Sequence, residues 1–293
     1  YVPIASTNDF HGVFFPLEEE FIYQNKKIKY KIGGIDYISK YISILKEEFG
    51  NPSTLYTLGR NAKKGLDNAR ENVAALINAD PKEVVFTSGG TESDNWAIKG
   101  AAIKFRDKGR HIITTEIEHP AVKNTCEYLE NFGFETTYLP VQENGIIDIN
   151  DLKDAIREDT ILISIMHANN EIGTIQPIEE IGQIARENDI TFHCDAVQSI
   201  GKIPVDVKAA NIDLLSMSSH KIYGPKGVGA LFIRKGLRLD PYIHGGGQEG
   251  GKRSGTENVS GIIGFGKAAE IAKRDLQANT EQLSEIRDRS EER

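Results

Sequence analysis

The sequence has 293 residues, room for one large domain or two ordinary ones, and its net charge of -8 gives no support to binding of nucleic acid or an anionic membrane surface. Its 39% hydrophobic and 27% charged content is that of a globular chain with a real core. No apolar run reaches the length of a membrane span, no charged-then-apolar leader opens the chain, and two cysteines, Cys126 and Cys194, make no disulfide framework, so a reducing, cytoplasmic setting is expected.

The first 48 residues read differently from those that follow. Residues 2–6 predict a short strand running into Thr7-Asn8-Asp9-Phe10-His11-Gly12, where a carboxylate and an imidazole two positions apart could both reach one metal ion. Gly33-Gly34 then precedes a helical pattern over 35–48. This order resembles the opening of the metallophosphoesterases of the 5'-nucleotidase family, and it implies a phosphoesterase fragment as an alternative function. The later Gly-Asp and Gly-Asn-His motifs that would complete a two-metal site are not in the sequence, so no metal is expected and Asp9 and His11 read as a strand-end turn.

From Gly50-Asn51-Pro52, a turn, the pattern changes. Residues 60–78 carry Leu66, Ala69, Val73 and Leu76 at helical spacing. A buried strand at 84–87 runs into Ser88-Gly89-Gly90-Thr91, followed by a helix at 94–104; such a strand, glycine turn and helix start suits a phosphate, and Thr91 adds a hydroxyl. Strands at 111–115, 136–139, 160–166 and 190–193 alternate with helices at 121–132, 150–156 and 178–188, which predicts an α/β fold with a mostly parallel sheet. Polar residues gather where strands end: Thr91, His119, Asn170, Asp195, Gln198 and Lys221. Ligands of open α/β sheets bind outside those ends.

Lys221 lies between two apolar runs, 212–215 and 228–233, amid small polar residues and glycines. An amine held in a partly desolvated turn becomes nucleophilic and suits a Schiff base, while Ser218, Ser219 and His220 can donate to a phosphate. Together they point to pyridoxal 5'-phosphate (PLP). Asp195 can pair with its pyridine nitrogen, His119 can lie over its ring, and Asn170 and Gln198 can bond its phenolic oxygen.

From about residue 49 these runs, with Gly245-Gly246-Gly247-Gln248-Glu249 and Arg253-Ser254-Gly255-Thr256, resemble the cysteine desulfurases, PLP enzymes of fold type I in the class V aminotransferase group. The resemblance implies Lys221 as the Schiff-base lysine and His119 as the second catalytic residue. Asp195, Asn170 and Gln198 would bind the ring, and Thr91, Ser218, His220 and Thr256 the phosphate, with Thr256 reaching into the partner's site in a homodimer. The implied reaction takes L-cysteine to L-alanine and passes sulfur as a persulfide to an acceptor or scaffold protein, for iron-sulfur cluster or thiolation pathways. The expected organisation is a foreign segment at 1–48, a PLP-binding large domain at 49–265 and the start of a truncated C-terminal domain at 266–293. The chain lacks the persulfide cysteine of the family, so PLP binding with little persulfide formation is expected, and the chain by itself is expected to be inactive. Cys126 reads as half-buried in a helix, and Cys194 points to the opposite strand face from Asp195. A selenocysteine- or cysteine-sulfinate-using relative, or a non-catalytic protein of the same fold, remains open on sequence grounds.

Overall fold

The computed structural model describes residues 17–23, 26–32, 52 and 57–291, in two compact units, 1–63 and 64–293. The strand expected at 2–6, Asp9, His11 and the helix expected at 35–48 lie outside the described residues.

In the first unit, β1 (Leu17–Tyr23) and β2 (Lys26–Ile32) pair antiparallel, from Leu17 opposite Ile32 to Tyr23 opposite Lys26. The register sets Glu18 and Glu20 opposite Lys31 and Lys29, the opposite-charge arrangement that favours such pairs. Sequence reading assigned no element here, although an acidic run facing a basic run across two residues was a signal.

Helix α1 (Thr57–Leu76) leads into the second unit, where Leu66, Ala69, Val73 and Leu76 are buried as their spacing requires. The sheet follows with β3 (Val84–Thr87), β4 (His111–Thr115), β5 (Glu135–Leu139), β6 (Thr160–Ser164), β7 (Thr191–Asp195), β8 (Leu214–Ser218) and β9 (Gly229–Ile233), in the spatial order β3-β9-β8-β7-β6-β4-β5. Only β9 runs against the others, antiparallel to both β3 and β8. Helices cover both faces, so every strand of this sheet except β5 is buried along its whole length. Alternate residues serve opposite layers: Ile113, Ile163, Cys194 and Leu215 join one cluster with α1, α5 (Ile178–Glu187) and α6 (Val259–Glu291), while Ile112, Leu162 and Leu214 join another with α2 (Gly90–Phe105) and α3 (Pro120–Glu130). The short α4 (Ile149–Ala155) contributes Leu152 to the first cluster. Helix α6 is continuous across residue 266.

Two differences from the sequence reading bear on the site. Helix α2 begins at Gly90, four residues before the expected start, because the Ser93 amide already bonds the Gly89 carbonyl at 3.1 Å; Thr91 therefore sits in its first turn. Strand β8 continues through Ser216 to Ser218, which were expected in a turn. Ser216 is paired on both sides, with Asp195 and Leu231, and Ser218 on one, with Gly229, and this pairing overrides the weak strand preference of serine.

Candidate active site

Within the seven-stranded sheet every strand but β9 ends at one edge, and β9 begins there, so the segments after β3, β4, β6, β7 and β8 meet at that edge. A crevice of about 450 Å³ opens between them. Thr91, His119, Asn170, Asp195, Gln198, Ser218, His220 and Lys221 all border it, which brings together eight of the nine residues expected from sequence. Thr256 is the exception. It borders a separate hollow of about 210 Å³ with Ser88 and Arg253, so within one chain it does not face the crevice. Larger hollows of about 880 and 650 Å³ lie elsewhere, but chemistry rather than size marks a site.

Each side chain is delivered by local structure. Lys221 is half-buried in the 3-10 turn Ser219–Ile222 that joins β8 towards β9, and Tyr223 closes that turn in the left-handed region at φ 64°. Asp195 is the last residue of β7 and is 5% exposed. One of its oxygens accepts the Val197 amide at 2.9 Å. Burial raises its pKa, while the Val197 amide, His119 and Lys221 act in the opposite sense. His119 caps α3: its Nδ1 accepts the Ala121 amide at 3.1 Å, which leaves the proton on Nε2 and fixes the ring. Ser218 Oγ and His220 Nδ1 are 2.9 Å apart, and burial, then Lys221 and Lys226, hold the His220 pKa below its ordinary value.

Gly90 matters here because of what lies above it. A Cβ at that position would stand 2.7 Å from Val197 Cγ2, so only glycine lets the segment after β7 approach the start of α2. Glu92, in the same first turn, accepts the Ser88 amide at 2.8 Å and a two-point contact from Arg253 at 2.9 and 3.1 Å. Burial opposes its ionisation, but those hydrogen bonds outweigh it and hold the carboxyl below its ordinary pKa.

Sequence reasoning missed the acids around this wall. Asp94 also borders the crevice, three residues along α2 from Thr91, a helical spacing that was available as a signal. Glu118 is buried beside His119, with Oε1 accepting the Thr115 hydroxyl at 2.8 Å and the Met166 amide at 2.9 Å; burial pushes it up to about 8. Neither was conspicuous, because Asp and Glu are by default surface residues. Cys194 does point away from Asp195, into the opposite core layer. Cys126 is fully rather than half-buried, since α3 turns it into the layer shared with α2. Burial pushes the Cys126 thiol up to about 12 and the Cys194 thiol well above its ordinary value, so neither is a thiolate. Among the described residues, no cluster of three or more His, Cys, Asp or Glu could hold a metal ion.

Residues 36–293 match the family profile described as Aminotransferase class-V. The chain belongs to that family. Its relatives include a cysteine desulfurase IscS of Methanosarcina thermophila, 56% identical over 254 residues (87% of this chain, 63% of the relative). Another, of Dictyoglomus turgidum, is 59% identical over 244 residues (83% and 62%). The chain thus spans about 63% of the length of the curated relatives it matches. Among solved structures, a NifS-like protein aligns with a TM-score of 0.82 at 44% identity (87% of this chain, 70% of that one), and SspA in complex with cysteine with 0.75 at 46% (81% and 69%). The mostly parallel seven-stranded sheet is that of the large domain of fold type I PLP enzymes. Class V aminotransferases use PLP, and the crevice fits it: one half-buried amine, one buried carboxylate, an imidazole of fixed tautomer, and hydroxyls beside the start of a 16-residue helix. The match begins at residue 36, and Asp9 and His11 lie before it.

Proposed function

We propose that this chain is the cofactor-binding part of a PLP-dependent cysteine desulfurase, which converts L-cysteine to L-alanine and hands sulfur as a persulfide to an acceptor protein. The observation that carries the reading is the placement of Lys221 and Asp195, from the ends of adjacent strands, on one crevice in a chain 56% identical to a cysteine desulfurase. When bound, PLP supplies an electron sink for deprotonation at the substrate's α-carbon. Lys221 anchors the cofactor and Asp195 keeps its ring nitrogen protonated. His119, its Nδ1 tied to the start of α3, presents Nε2 for stacking on the ring and for proton movement. Thr91, Ser218 and His220 hold the phosphate with the first amides of α2, and Asn170 and Gln198 bond the phenolic oxygen.

The sulfur-accepting thiolate is neither Cys126 nor Cys194, both of which are buried and neutral. The Arg253-Thr256 loop is assigned to the partner's phosphate in a homodimer, which agrees with Thr256 lying away from its own crevice. Residues 49–265 are assigned to the cofactor-binding domain, within a family match that starts at residue 36, and residues 266–293, which continue the helix begun at Val259, to the start of a second domain. The setting is the cytoplasm, where both cysteines stay reduced; among the described residues no helix is long and apolar enough to cross a membrane. The test is spectroscopic. PLP-loaded protein should change its visible absorbance on addition of L-cysteine, and His119→Ala should suppress that change. PLP loading without any response to L-cysteine would remove the desulfurase reading and leave the cofactor reading standing.

A further inference from the structure

One carboxyl on the crevice wall has no part in the binding scheme above. Asp94 is 1% exposed, and its Oδ1 has no hydrogen-bond partner. The nearest nitrogen, His193 Nε2, is 3.6 Å away, too far for a hydrogen bond. His193 is committed elsewhere: Nδ1 lies 2.8 Å from Ser164 Oγ and Nε2 3.0 Å from Ser216 Oγ. Burial holds the His193 pKa down to about 3, so the imidazole is neutral and lends Asp94 no positive charge.

Asp195 stands two residues along β7 from His193, on the same strand face, and its surroundings differ. It has the Val197 amide and the charge of Lys221. Asp94 has the Ser216 hydroxyl, opposed by burial first and then by the charge of Asp195, both of which raise its pKa. Two carboxyls in one dry wall cannot both ionise, and environments that differ in this way decide which keeps the charge.

We propose that Asp94 is a positioning residue that keeps its proton, so that Asp195 is the single carboxylate on this wall and the buried, unpartnered Oδ1 belongs to a neutral acid. The purpose of this arrangement rests on the PLP reading, since a second negative charge would compete with Asp195 for the ring nitrogen. Its observable does not. Infrared spectra of the cofactor-free protein carrying ¹³C-carboxyl aspartate should show an isotope-shifted carboxylic-acid carbonyl band near neutral pH that Asp94→Asn abolishes. A spectrum that Asp94→Asn leaves unchanged would overturn the proposal. A PLP titration gives a second readout. Asp94→Ala, which removes the carboxyl beside Ser216 and leaves a gap in the wall, should lower PLP affinity about tenfold. Asp94→Asn, neutral and of the same shape, should recover most of that loss and keep the wild-type pH dependence. An asparagine variant as weak as the alanine variant would mean that the charge was needed, and would also refute the assignment. If the unaltered chain fails to bind PLP, the cofactor reading falls, while the infrared band still decides the protonation of Asp94.

Discussion

Replacing Glu118 by glutamine should stabilise the protein at alkaline pH and leave it nearly unchanged at acidic pH. The carboxyl is enclosed, with two hydrogen bonds to Oε1 and no partner for Oε2. Burial pushes it up to about 8 in spite of the Met166 amide and the Thr115 hydroxyl, from 4.5 in an ordinary glutamate. Between those two values the folded protein holds a proton that the unfolded chain has released. Folding therefore binds protons in that window, and the free energy of unfolding falls as pH rises through it, with no loss below it. The two values cap the loss at about 5 kcal/mol by the upper end. Relaxation and water entry lower the real cost of a buried charge, so the expected loss is about 2 kcal/mol. Glutamine keeps a carbonyl for both hydrogen bonds and has nothing to titrate. Urea unfolding of both proteins at about pH 5 and about pH 8 measures the difference. The variant's advantage should grow by about 2 kcal/mol between the two conditions, and an advantage independent of pH would refute the reasoning.

Other expectations follow from close contacts. Gly90→Ala puts a methyl 2.7 Å from Val197 Cγ2 at the mouth of the crevice, and PLP affinity should fall about tenfold as the two segments move apart, measured by fluorescence titration. Arg70 grips Glu249 with Nη1 and Nη2, both at 2.8 Å, and the same carboxylate, whose side chain is 4% exposed, accepts the Phe86 amide at 2.9 Å. Arg70→Ala leaves that charge uncompensated and should cost about 3 kcal/mol in urea unfolding; a cost under about 0.5 kcal/mol would show that solvent already reaches the pair.

The sheet and the crevice were legible because they rest on one-dimensional signals. Apolar runs alternated with amphipathic ones, and polar residues such as Asp195 and Lys221 stood where those runs ended. The rest was hidden for identifiable reasons. Ser216–Ser218 read as a turn because serine favours turns, and pairing with β9, joined at Ser216 by pairing with β7, overrode it. The cap on α3 was invisible because histidine is an uncommon cap, yet it fixes the tautomer of His119. Glu118 and His193 could not be told from surface residues, since their significance lies in what surrounds them, and Asp94 carried only its helical spacing from Thr91. Thr256 was matched to the cofactor by resemblance, and one chain cannot bring it to its own crevice.

The most direct measurement is to incubate the chain with PLP, reduce with borohydride, digest it and locate the pyridoxyl label by mass spectrometry. The account expects the label on Lys221, with Asp195→Asn lowering its yield. A label on any other lysine, or none, would contradict it.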